Sequence, residues 1–306
     1  MKIQLSSHNL AQYLSQINLP QYQDKKVLEI NLLPAKNFNL LVTLDDKSKI
    51  LVKQERQDQE GKTAGEFSQE WQIFQQLQQF NNLTDYLPNI LHFDEDNSLL
   101  IFHYFDHYRD LSDFYLKEND FPEYIAEKIG QVLAILHRDT YQNQELLIKE
   151  KEAQENSLVT HFIKGLERIT PEIFGVVPAD GLKFFALYQR YDSLGQAINN
   201  LGNYFTPSCL THNDLKLNNI LLLNNWFNLS QSLEEIKINI SENFELDLNY
   251  EQENNSCHDS LIKIIDWERA SLGDPAFDLG MLIASYLQIW LNSLVISNSL
   301  TIEESL

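Results

Sequence analysis

In Leu210-Thr-His-Asn-Asp-Leu-Lys-Leu-Asn-Asn-Ile-Leu221 an aspartate, Asp214, stands five residues before an asparagine, Asn219, between two apolar stretches. A second phrase further on, Ile264-Ile-Asp-Trp-Glu-Arg-Ala-Ser-Leu-Gly-Asp-Pro-Ala-Phe-Asp-Leu279, sets Asp266 behind its own apolar run. Asp214 is suited to act as a general base toward a hydroxyl. Asn219 and Asp266 offer the hard oxygens that magnesium prefers. Phosphoryl transfer asks for positioned charges of this kind more than for covalent chemistry. Alone, either phrase fits a capped turn. The two in this order point to that chemistry.

A nucleotide needs further charges. In Ile50-Leu51-Val52-Lys53 the alternation of a strand sets Leu51 and Lys53 on one face, which would lay Leu51 against a purine and aim Lys53 at the α and β phosphates. Glu70 falls between Phe67 and Phe74 on the apolar stripe of a helix pattern. A carboxylate pointing inward there needs a partner, and Lys53 is the partner expected; Glu66 is the rival carboxylate. Neither G-x-G-x-x-G nor G-x-x-x-x-G-K-[ST] occurs, so P-loop and dinucleotide folds are excluded. The Gly-free turn Leu33-Pro-Ala-Lys-Asn-Phe-Asn39 is left to touch phosphate through backbone N–H groups, Lys36 and the side chain of Asn37. His212 lacks suitably spaced metal-binding companions and is read as a structural residue fixing its loop. Of Asp274 and Asp278, one is expected to accept from backbone N–H groups of that loop.

These residues need elements to hold them. Val27–Leu33, Phe38–Leu44 and 49–53 read as strands, as do 88–92 and 99–105, with a helix over 66–80. Asp120 and Pro122 look like the start of a helix running to about His137, with Ile125, Ile129, Val132, Leu133 and Leu136 inward. Helical patterns resume after a polar stretch at 141–156 and continue to about Asn200. The expected architecture is α+β and two-lobed: residues 1–102 form a small antiparallel-sheet lobe with one helix, and 103–306 a larger, mainly helical lobe. A cleft lies between them. The acidic stretch 224–260 interrupts the two chemical phrases as an insertion.

Composition narrows the classes. A net charge of −21 argues against a nucleic-acid partner and suits solubility or attraction of a cationic substrate. Two cysteines, Cys209 and Cys257, are too few for a disulfide framework, which favours a reducing cytoplasm. The segment 279–296 is uncharged, but Ser285, Gln288, Asn292 and Ser293 interrupt it; a buried helix rather than a membrane span is expected. Residues 1–19 lack the pattern of a signal peptide.

With Asn37, Lys53, Glu70, Leu136-His137 and both phrases in hand, the chain resembles the aminoglycoside phosphotransferase and choline kinase-like family, which has a protein-kinase-like fold. Ile-Asp-Trp-Glu followed by Gly-Asp-Pro-x-x-Asp-Leu is more typical of that family than of protein kinases. The resemblance implies an ATP- and magnesium-dependent kinase. Its catalytic base is Asp214, its metal ligands are Asn219 and Asp266, and Lys53 contacts phosphate. The adenine is expected against Ile101, Phe102, His103 and Tyr104. Three departures stand out. Asn213 fills the middle of what is often His-Gly-Asp. Lys216 matches the protein-kinase lysine that neutralises the transferred phosphoryl. The chain also stops soon after Asp278, which suggests a missing C-terminal segment or a partner subunit completing the acceptor pocket. The expected acceptor is a small-molecule hydroxyl of aminoglycoside or amino-alcohol type. A peptidyl Ser or Thr, or a pseudokinase or regulatory subunit, are the alternatives.

Overall fold

The computed structural model of the chain describes residues 3–17, 19–22, 24–58, 60–141, 177–227 and 260–297. The acidic stretch expected at 224–260, the helical patterns expected between 157 and 176, and Cys257 lie largely or wholly outside them. The chain divides into two compact units, one from Met1–Ile135, Asp214–Ala270 and Gly280–Leu306, the other from Leu136–Asn213 and Ser271–Leu279.

The first unit begins with α1 (Leu10–Gln16), followed by β1 (Val27–Leu33), β2 (Phe38–Leu44) and β3 (Lys49–Gln54). Next come α2 (Glu66–Leu77), β4 (Ile90–Asp94) and β5 (Leu99–His103). The five strands form one antiparallel sheet in the order β1-β2-β3-β5-β4. Alternate residues point to opposite faces of a strand. Leu40, Val42, Leu44, Ile50, Val52, Leu99 and Ile101 therefore share one face, where they pack with Leu5, Leu10, Tyr13 and Leu19. Tyr13 donates to the Asp94 carboxylate (2.6 Å), and Gln54 accepts from Leu5 N–H (2.9 Å) and donates to the Ile3 carbonyl (2.7 Å). These bonds tie the N-terminal segment to the sheet. The opposite face carries Leu51 and Lys53.

Glu55, at the end of β3, is buried and accepts from Gly65 N–H (2.9 Å) and Phe67 N–H (2.6 Å) at the start of α2. A carboxylate on the unsatisfied N–H groups of a helix start stabilises it and fixes its direction. Phe67, Phe74 and Leu77 are buried, and Glu70 with them.

Further along, β6 (Tyr108–Asp110) leads into α3 (Leu111–Glu118), capped by the Asp110 carboxylate on Asp113 N–H. Helix α4 (Glu123–Thr140) starts three residues after Asp120, and Ile125 N–H bonds the Pro122 carbonyl. The expected inward residues of α4 are all buried. Helices α5 (Ala179–Arg190) and α6 (Asp192–Asn203) precede β7 (Cys209–Thr211), and β8 (Ile220–Leu223), β9 (Ile262–Ile264) and β10 (Ser271–Gly273) follow. The last element is α7 (Pro275–Ser297). In the first unit β6, β8 and β9 form a small antiparallel sheet; in the second, β7 pairs with β10. Among the described residues no helix is long and apolar enough to cross a membrane.

Candidate active site

Strands β8 and β9 hold the chemical residues at one end. Ile220 pairs with Ile264, and Ile265 N–H donates to the Asn219 carbonyl (3.0 Å). This seats Asn219 beside the residue preceding Asp266. Asn219 in turn donates Nδ2–H to the Asp214 carbonyl (2.8 Å) and lies 3.5 Å from its Oδ2. Three residues separated in the chain thus meet in one unit.

Asp214 is flanked by two cations. Lys216 Nζ lies 2.9 Å from Asp214 Oδ1, and Arg269 Nη1 lies 3.7 Å from the same oxygen. Arg269 was not singled out from the sequence; its place three residues after Asp266 was the signal available.

Lys53 Nζ donates to Asp266 Oδ1. The ammonium also lies 5.1 Å from the Phe102 ring centroid. The expected Lys53–Glu70 bond is not the one formed. Asp266 adopts the left-handed conformation (φ 62°) and turns its carboxylate to Lys53, whereas Glu70 Oε1 accepts from Trp267 N–H (3.4 Å). Glu70 is fully buried, and its Oε2 has no hydrogen-bond partner among the described residues. Glu66, the rival, pairs with Lys36. Burial works to lower the Lys53 pKa, but the charges of Asp266 and then Glu70 outweigh it and hold the ammonium above its ordinary value. Burial pushes the Glu70 carboxyl above the usual carboxylate range, with Lys53 pulling against it. Glu268 is raised as well, by burial first and then by Glu66 and Asp266.

A cavity of about 410 Å³ opens beside these groups, lined by Leu51, Lys53, Phe102, His103, Tyr104 and Asp266 among others. Three of the expected nucleotide residues are not in its wall, the first being Glu70, which is buried on α2. Ile101 is fully buried in the core on the other face of β5, since alternation turns it away when Phe102 faces the cavity. Asn37 lies in the turn between β1 and β2, outside the cavity lining, and its neighbour Lys36 is committed to Glu66.

The backbone leading into Asp214 is braced within the second unit. Asp278, fully buried, accepts from His212 N–H and Asn213 N–H (2.9 Å each) and lies 3.0 Å from His137 Nε2. Asp274 instead accepts from Thr206 and Ala276 N–H (3.0 Å each). Of the two aspartates considered, Asp278 is the one that holds the loop. Asn213 has φ 60°, donates Nδ2–H to Ser271 Oγ (2.7 Å) and accepts from Thr211 Oγ1 (2.9 Å).

The donor set suits a hard divalent cation. Asp266 supplies a carboxylate, and the Asn219 amide, with Nδ2 committed to the Asp214 carbonyl, has an oxygen that accepts from Asn218 Nδ2 (3.0 Å) and keeps a second lone pair for a cation.

No protein-family model matches this chain, and no curated protein matches it. Among solved structures it is similar to the choline kinase LicA from Streptococcus pneumoniae: 15% identity, 97% of this chain and 82% of that one, TM-score 0.52. LicA in complex with AMP gives 15% identity, 94% and 78% coverage, and TM-score 0.50. The streptomycin–ATP complex of the aminoglycoside phosphotransferase APH(2")-IIa gives 15% identity, 90% and 75% coverage, and TM-score 0.45. The chain has the α+β, protein-kinase-like fold of the choline kinase.

Proposed function

We propose that this chain is a phosphotransferase that moves the γ-phosphoryl group of ATP, with magnesium, to the hydroxyl of a small molecule of aminoglycoside or amino-alcohol type. The observation that carries it is the Lys53–Asp266 pair in the wall of a cavity of about 410 Å³, with Asn219, bonded to Asp214, joined through its carbonyl to the residue before Asp266. Leu51 and Phe102 would sandwich or face the base, and Lys53 would bind the phosphates. Asn219 and Asp266 would hold magnesium, which when bound offsets charge on the nucleotide phosphates. Asp214 accepts the hydrogen bond of the incoming hydroxyl and sets its line of approach. Lys216, within an ion pair of Asp214, stands where negative charge develops. The acidic balance of the chain favours a cationic acceptor. The neighbouring LicA structures, a choline kinase and its AMP complex, are in line with an amino-alcohol acceptor and an adenine nucleotide.

The test is transfer of labelled γ-phosphate to a panel of aminoglycosides, choline, sugars and peptides, with Asp214→Ala alongside. Turnover on a small-molecule hydroxyl should fall by at least about a hundredfold in the variant, the scale of general-base catalysis, while nucleotide affinity stays unchanged. Near-normal turnover in the variant removes Asp214 from its role, and transfer to peptides alone replaces the acceptor class.

A further inference from the structure

Two buried side-chain oxygens of the first unit lack a hydrogen-bond partner among the described residues. They are Glu70 Oε2 on α2 and Asn39 Oδ1 on β2, both shielded from solvent. Buried acceptors are ordinarily satisfied, so each such oxygen calls for a donor. Asn39 stands directly opposite Lys53 in the β2–β3 register. Opposed residues of an antiparallel pair share a face with their Cβ atoms close together. Burial alternates along both strands: Leu40, Val42 and Val52 enter the core, which leaves Asn39 on the face of Leu51 and Lys53, the face that borders the cavity. An ammonium carries three donors, and Lys53 gives one to Asp266.

We propose that Asn39 is a positioning residue for Lys53: with Glu70 it forms a two-acceptor seat that holds the ammonium toward the nucleotide phosphates when Asp266 is committed to a cation. This rests on the function proposed above and adds a residue to it. The chemistry of the side chain fits the place. Asp266 already bonds the ammonium, and Glu70 lies buried on α2 in the same unit. A neutral amide oxygen steers an ammonium without adding a further charge that would repel a polyanion. The cross-strand register singles out Asn39 for this place, a residue the sequence pattern had not marked.

The experiment is a double-mutant cycle read by calorimetric binding. Asn39→Leu keeps the side-chain size and removes the acceptor. Mg-ATP affinity should fall by about tenfold, the equivalent of one charge-assisted hydrogen bond. Adenosine, which has no phosphate, should bind within about twofold of wild type and so reports that the cavity is intact. In a Lys53→Met background, Asn39→Leu should change Mg-ATP affinity by less than about twofold. Unchanged Mg-ATP affinity in Asn39→Leu, a parallel loss of adenosine binding, or an undiminished effect without Lys53 each overturns the proposal. Wild-type protein that binds adenosine but not Mg-ATP overturns the underlying function as well.

Discussion

Asn213 takes φ 60°, a backbone region in which a Cβ costs about 1–2 kcal/mol and which asparagine visits more readily than most residues. An asparagine can therefore hold the turn before Asp214 without loss of the loop. The asparagine also uses its side chain, bonding Thr211 and Ser271, while Asp278 takes its N–H. Asn213→Gly and Asn213→Ala remove the same side-chain bonds but only Ala pays the left-handed penalty. Urea unfolding should therefore find Asn213→Ala less stable than Asn213→Gly by about 1 kcal/mol. The reverse order would refute a conformational role for this position. At this scale the grouping of Asp214 with Lys216 and Asn219 was legible because short-range spacing defines it. The choice of partner for Lys53 was not. Two carboxylates surround one ammonium, and which of them bonds depends on the φ of Asp266 and on a Trp267 N–H that no spacing reveals.

Elements hold these residues through contacts that are partly visible in the chain. The five strands of the first sheet were readable from alternation and polar turns, and α2 and α4 from their apolar stripes. Helix α1 was not. It is seven residues long, and its stability comes from burying Leu10 and Tyr13 against the sheet rather than from its own pattern. Nor was the role of Glu55, whose carboxylate meets the start of α2 only after β3 has placed it. The Gly of Gly-Asp-Pro has a plain structural account. Gly273 pairs with Cys209 across β10 and β7, and a Cβ there would lie 2.1 Å from Thr211 Oγ1. Thr211 cannot easily yield, since its hydroxyl bonds Asn213 and the Ser271 carbonyl. Gly273→Ala should lower stability by about 1–3 kcal/mol, the usual cost of overpacking. Thermal denaturation matching wild type would contradict this packing.

Taken whole, the molecule gathers the candidate site residues from pieces far apart in the chain. Strand β3 brings Lys53, β5 brings Phe102, and the β8–β9 ladder brings Asn219 and Asp266 alongside Asp214, all within one compact unit. Pattern and motif carried the fold class and named Lys53, Phe102, Asp214, Asn219 and Asp266 as candidates. They did not carry Arg269 or Asn39, whose significance lies in which neighbour they face. The account depends on these groups forming one magnesium–nucleotide site. Its most direct test is a calorimetric titration of the wild-type protein and Asp266→Ala with ATP, with and without magnesium. Saturable one-to-one binding that needs magnesium in the wild type and is lost in Asp266→Ala is the predicted result. Binding that ignores both the metal and the substitution would contradict it.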